Sequence, residues 1–513
     1  MASKAFVAVS AAAVLALMSV SANAQKSKDT LRLGYYQPIS TVDAVIDPQP
    51  QTTVSYMSVF DTLVLFDPVS GKIVPLLAES WSQVDPRTIE FKLRDGVKFH
   101  DGSTLDADDV VYTINWLADP GVKFRMKSRY DWIDKAEKID SRTVRISAKQ
   151  AAVTMLMQFT LGAAIFPEAY HKSFEDPAKF GRKPIGTGPF RAVSVDDAKG
   201  IVLQRNPDYA HGNSTKPAAR IGTIHIGFIP EPQTQVAELL VGNLDLVHEV
   251  QEDTLQELKA DKRFNVTAND TFVYLYLSID SAGRSDNPAL KDVRVREAIM
   301  RAVNREEIRK NLVAGGESAQ LLDAICFDIQ AGCSYSTKPP AYDPARAKAL
   351  LAEAGYPQGF EIIITTTPRN KIQAEAVAGQ LHAIGLKPMV DALTFSAYQK
   401  RQAEGKIQIL MHYWTSGGQP DVDSTMGFFF APGGRNYTED PMLTEAWEKG
   451  ATIFDEAQRK AHYRAAFDRI NDQKYMMIVS TLPSVFVHTK DLVIEKGTRA
   501  AFGAEFTKMH WTD

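Results

Sequence analysis

Apolar and polar residues alternate over Thr88-Ile89-Glu90-Phe91-Lys92-Leu93-Arg94, the period of a strand with one buried face. Asp95-Gly96 then reads as a turn, Val97-Lys98-Phe99 as a continuation, and Asp101-Gly102 as a second turn, so the stretch predicts hairpin chemistry. At Asp106 the period changes. Acidic residues fill a first turn, and Val110, Ile114 and Leu117 recur at helical spacing. Asp343-Pro344 predicts a cap with Pro at the first helical position, Leu350, Leu351 and Ala354 form the stripe, and Gly355 and Pro357 end it. Phe360–Thr365 reads as a strand, Gln373–Ile384 as a helix and Gly385–Val390 as another strand. Short strands alternating with helices of this length predict an α/β protein.

The first 24 residues break the pattern. Lys4 precedes an apolar run from Ala5 to Val20, and Ala22-Asn23-Ala24 is a small-x-small site. That is the layout of a secretory signal peptide, with the mature chain expected to start at Gln25. A spanning helix needs about 20 apolar residues, more than this run offers. No Cys stands at the expected cleavage point, so no lipid anchor is expected, and the protein is expected in the periplasm. In that oxidising setting Cys326 and Cys333, with Gly332 between them, are expected to close a small disulfide loop; two buried free thiols is the alternative. Two cysteines are too few for a four-Cys zinc site.

With 58 Lys and Arg against 62 Asp and Glu, the chain lacks the positive excess that holds a nucleic acid backbone, and no nucleic acid partner is expected. No nucleotide fingerprint is present. Gly186-Thr187-Gly188 runs straight into Pro189, which has no N–H for a phosphate, and the Gly-Lys pairs at Gly71 and Gly405 are each followed by Ile. His248-Glu249-Val250-Gln251-Glu252 has Glu where a zinc-binding helix needs its second His. No G-x-S-x-G elbow occurs. Neither a catalytic residue nor a cofactor nor a metal site is read from the chain.

Several segments, taken in order, resemble one family. They are Pro75-Leu76-Leu77-Ala78-Glu79-Ser80-Trp81, the stretch from Phe91 through His100 to Gly102, and Ala107-Asp108-Asp109-Val110. Gly186-Thr187-Gly188-Pro189-Phe190, Arg205-Asn206-Pro207-Asp208-Tyr209, Asp292 to Ile299 and Tyr342 to Pro357 continue the series. The chain is identified as resembling the extracellular solute-binding proteins of peptide- and nickel-type ABC transporters. The resemblance implies a two-lobed α/β clamp of the periplasmic-binding-protein type, with an extra subdomain in the first lobe and two crossover hinge strands. Lobe I would comprise 25–272 and 484–513, with the subdomain at about 60–190, and lobe II 273–483. The implied role is capture of a small solute between the lobes and delivery to a membrane permease, by a monomer. A secreted hydrolase is the rival from another class. The resembling motifs are themselves expected to build scaffold, His100 included.

Ligand contacts are expected at strand ends. Arg369, after the strand ending in Thr365-Thr366-Thr367, matches the region where dipeptide binders of the family hold a carboxylate, and its planar fork suits that task. His412 and Trp414 end the Ile407–Trp414 strand, and Trp414 matches the Trp of the family's W-x-x-D-x-x-D motif. Arg435 and Asn436 precede another helix, and Tyr35, Tyr36 and Gln37 would line the cleft from lobe I. The chain departs from the motif three residues after Trp414, at Gly417, where the family's first Asp pairs with a peptide α-ammonium. Asp421 then matches the second acidic position. The expectation is an opine-like, sugar-containing or N-blocked solute, with ordinary peptides as rival if Asp421 or Asp423 supplies the missing charge; a nickel chelate is a further alternative.

Overall fold

A computed structural model describes residues 29–495 and 505–512, apart from 126 and 249. The expected signal peptide and cleavage site lie outside the described residues. Two large sheets organise the chain. A seven-stranded sheet runs, in spatial order, Phe264–Asn269, Ser484–Thr489, Leu246–His248, Thr30–Tyr35, Thr223–Phe228, Gly200–Arg205 and Phe190–Asp196. A five-stranded sheet runs Lys387–Ala392, Glu361–Thr366, Ile409–Trp414, Tyr274–Ile279 and Met476–Thr481. In the second sheet Glu361–Thr366 is parallel to both neighbours, while Tyr274–Ile279 is antiparallel to both of its own.

Apolar clusters lie against both faces of each sheet, and Tyr274–Ile279 is buried at every position but Ser278. In Tyr274–Ile279 the pleat sends Tyr274 and Tyr276 into one cluster and Leu275, Leu277 and Ile279 into the other. In the seven-stranded sheet Phe486 and Leu246 face one cluster and Val485, Val487 and Val247 the other. The chain passes from the first sheet to the second between Asn269 and Tyr274 and returns between Thr481 and Ser484. Thr271 braces that crossing, donating from Oγ1 to the Leu482 carbonyl at 2.7 Å.

A four-stranded antiparallel sheet holds Thr88–Leu93 between Ala78–Asp85 and Thr143–Ala148, with Ile133–Asp140 at the far edge. The hairpin expectation holds only in part. Thr88–Leu93 forms its hairpin backwards, with Ala78–Asp85 across Pro86-Arg87, and its other partner is the distant Thr143–Ala148. By contrast, 97–105 folds on itself around Asp101-Gly102 through Leu105 N–H to the Val97 carbonyl (2.9 Å) and one Lys98–Thr104 bridge. The turns survive: Gly96 and Gly102 have φ of 73° and 89°, a region that costs a side chain energy but not glycine. Val97 and Phe99 are buried in the shared core because that loop is pressed inward. The Asp106 cap is a reciprocal box: its carboxylate accepts from Asp109 N–H at 3.4 Å and from Asp108 N–H at 2.8 Å, while the Asp109 carboxylate accepts from Asp106 N–H at 3.1 Å.

His100 joins two of the resembling motifs. Its Nδ1 accepts from Gly186 N–H at 3.3 Å and its Nε2 donates to the Gly188 carbonyl at 2.9 Å. Burial pushes the imidazole down to about 4, so it works as a neutral clasp. A Cβ on Gly186 would lie 2.2 Å from the Val59 carbonyl oxygen, so only glycine fits there.

Candidate functional site

The carboxyl end of Glu361–Thr366, the end of Ile409–Trp414 and the two crossings lie on the same side of the five-stranded sheet, since Trp414 pairs with Tyr274 and Tyr274 with Thr481. Thr366 leads through buried Thr367 into a short turn carrying Arg369. The exposed Arg369 guanidinium lies 4.8 Å from the Tyr413 ring centre. Tyr413 is stacked on His412 (4.7 Å), and His412 on Tyr398 (4.9 Å). A cation lying over a ring is attracted by the ring quadrupole.

His412 is 6% exposed. Its Nδ1 meets the Tyr413 carbonyl at 2.8 Å, whereas Nε2 is buried without a hydrogen-bond partner. Burial, aided by the Arg369 charge, pushes its titration below the ordinary range, so this imidazole is neutral. Trp414 forms a second stack: its indole lies 3.9 Å from Phe428, and Nε1–H donates to Thr425 Oγ1 at 3.2 Å. The exposed Arg435 guanidinium lies 4.7 Å from the Phe428 ring centre. Each arginine thus lies on an aromatic stack, Arg369 on that of Tyr413 and His412 and Arg435 on that of Phe428 and Trp414.

Three expected contacts do other work. Asp421 is 3% exposed and receives two bonds from Arg459, at 2.7 and 2.8 Å, while also capping the Val422–Phe430 helix through Asp423 N–H at 2.8 Å. With its oxygens engaged by a buried guanidinium, it does not offer a carboxylate to solute. Asn436 is buried and spends its amide on the turn, donating to the Phe430 carbonyl (3.0 Å) and accepting from Thr438 and Glu439 N–H. Tyr35 is 3% exposed because strand alternation turns it inward with Leu31 and Leu33, its ring edge-on to His248 at 5.0 Å. Tyr36 and Gln37, beyond the strand end, are half-buried.

Asp423, one residue beyond the helix start, is different. Its Oδ1 is buried without a hydrogen-bond partner, and burial, reinforced by the Asp421 charge, pushes the carboxyl up to about 6. The segment between Trp414 and Asp421 also reaches the other sheet's half of the molecule, where Gln419 Nε2 donates to Gln158 Oε1 at 3.0 Å. Close to Gln158 in sequence on that side, Val153 N–H donates to the Ala451 carbonyl at 2.9 Å, beyond the Pro441–Gly450 helix. Phe428, Thr425, Arg459 and Gln158 were missed by the sequence reading. The Phe428-Phe429-Phe430 run was the one local signal among them; Arg459 sits 38 residues from its partner. Among the described residues no group of three or more His, Cys, Asp or Glu is arranged to hold a metal ion.

Two α/β halves, each on its own sheet, joined by two crossings and meeting beside a polar and aromatic sheet end, define a two-lobed binding protein. The chain belongs to the bacterial extracellular solute-binding proteins, family 5, whose model (the family's middle region) matches residues 72–437. It is 28% identical to heme-binding protein A of Haemophilus influenzae over 474 residues, covering 83% of this chain and 84% of that protein. It is 25% identical to the nickel-binding periplasmic protein of Escherichia coli over 483 residues, covering 86% and 87%. Among solved structures, NikA from Brucella suis in complex with Fe(III)-EDTA superposes with a TM-score of 0.82 at 21% identity, covering 94% of this chain and all of that one. The chain is a solute-binding protein of an ABC importer and not an enzyme.

Proposed function

We propose that this protein captures a small anionic solute, peptide-like or opine-like, that carries no free α-ammonium. Arg369 holds the anion, Tyr413, His412, Trp414 and Phe428 form the apolar wall, and Arg435 adds a second positive group, with Tyr36 and Gln37 facing them from the other lobe. Relatives named for heme, nickel and dipeptides leave the choice of ligand to the chemistry of the cleft. One observation carries the reading: the acid that would receive an ammonium is missing at Gly417, and Asp421 is bound to Arg459. An ammonium brought here loses a charge-assisted bond while keeping its desolvation cost.

The lobes on this reading are 25–272 with 484–513, and 273–483, with 60–190 as the inserted subdomain of the first. Residues 1–24 direct export, and the mature chain works as a periplasmic monomer with no nucleic acid partner. Calorimetry against a mixed dipeptide and tripeptide library, native and N-acetylated, tests the ligand class. Weak binding of the free peptides is expected. Micromolar binding that N-acetylation abolishes would refute it. For an anionic solute that does bind, Arg369→Ala is expected to weaken affinity by about 2–4 kcal/mol.

A further inference from the structure

The loop closed by Cys326 and Cys333 touches three parts of the molecule at once. The two cysteines are joined as a disulfide, with Cα atoms 5.8 Å apart. Inside the loop the Gln330 side chain accepts from Phe327 N–H at 2.9 Å and donates to the Gln419 carbonyl at 3.2 Å. Ala331 pairs with the same segment as a parallel bridge to Asp421: its N–H donates to the Pro420 carbonyl at 3.0 Å, and its carbonyl accepts from Val422 N–H at 3.1 Å. Gly332 seats the loop closely, since a Cβ there would lie 2.7 Å from Val422 and 3.3 Å from Arg459.

The same loop faces the crossing and the opposite lobe. Phe327 packs edge-on against Phe272 at 5.5 Å, and Phe272 meets Phe66 of the Val64–Asp67 strand at 6.0 Å. At the tip of the hairpin formed by that strand and Lys72–Pro75, a Cβ on Gly71 would stand 3.0 Å from Ile329. Phe66 and Ile329 both pack on the core cluster beneath Tyr274 and Tyr276.

We propose that the Cys326–Cys333 loop is a positioning device for the cleft: through Gln330 and Ala331 it holds residues 419–422 in register, and its Ile329 face is the seat on which the opposite lobe's hairpin lands when the lobes close. The segment it holds carries both Gln419, which bonds across to Gln158, and Asp421, which anchors Arg459. The disulfide restricts the loop so that this seat is formed before the hairpin arrives. The proposal rests on the solute-binding role but not on any particular ligand.

The test is therefore made on the ligand-free protein. In a Cys326→Ser/Cys333→Ser variant, hydrogen exchange at the Ala331 and Val422 amides is expected to accelerate at least tenfold, with amides of Tyr274–Ile279 unchanged, and the radius of gyration by small-angle scattering to rise. Unchanged exchange at those two amides overturns the proposal, as does equal acceleration in Tyr274–Ile279, which would make the bridge a general staple of the fold. Unchanged scattering overturns the seat. Should the serine variant not fold, Gln330→Ala removes the bond to the Gln419 carbonyl with the disulfide intact. It is expected to give the same local acceleration, whose absence overturns the proposal.

Discussion

Asp421 and Asp423 stand two positions apart and face opposite fates because one has a guanidinium and the other does not. The Asp421–Arg459 pair is buried and bidentate, so losing one partner strands the other's charge. Arg459→Met is expected to cost about 3–5 kcal/mol in chemical denaturation, part of it recovered when Asp421→Asn is added. Asp423 is the converse. Its carboxyl is raised by burial to about 6 from an ordinary value of 3.8, so the folded state holds a proton that the unfolded chain releases. The stability this confers is complete below the ordinary value and lost as pH rises through about 6. Asp423→Asn is accordingly expected to stabilise the protein by about 1–3 kcal/mol at pH 7.5, with the gain absent at pH 4. Equal gains at both pH values in urea titrations would show that ionisation of Asp423 is not the cause.

Whole elements were more readable than their partnerships. The helix opened by Asp106 and the one opened by Asp343 lay open in the sequence, because a cap, an apolar stripe and a stop are all written within a dozen residues. Thr88–Leu93 was equally plain as a strand, but of its two neighbours only Ala78–Asp85 is adjacent in the chain; the pairing with Thr143–Ala148 spans a long separation and leaves no local trace. Tyr274–Ile279, covered on both faces, has no period-two polarity, and only the family resemblance pointed to it. The same limit applied to the site. Arg369 and Trp414 were found at strand ends, but a stack built from Phe428 or a pair built with Arg459 depends on helices that come later in the chain. The motifs that carried the resemblance are clasps of this kind. His100→Ala leaves the Gly186 N–H without its acceptor, and thermal melts are expected to show a loss of about 1–3 kcal/mol. A melt unchanged from the parent would mean that water replaces the imidazole.

At the scale of the whole molecule, two crossings hold the lobes together, and the contacts made across the opening decide how often they meet. Around the crossings, Gly315 N–H donates to Glu252 at 3.2 Å and Lys259 pairs with Glu317 at 3.0 Å, contacts beside the hinge that a rotation disturbs little. Far from it, Gln419 to Gln158 and Val153 to Ala451 exist only while the lobes touch. A bond present in one of two states shifts their equilibrium by its own net energy, about 0.5–1.5 kcal/mol for an amide pair. Gln158→Ala is therefore expected to raise the open-to-closed ratio about 2- to 12-fold, visible as a larger radius of gyration in solution. A solute enclosed by both lobes binds the closed form, so where that form is the minority its affinity falls by the same factor. Lys259→Ala, beside the hinge, is expected to leave both quantities unchanged. If the two substitutions move scattering and calorimetric affinity alike, closure is not held by the contacts at the rim, and the hinge itself sets the balance.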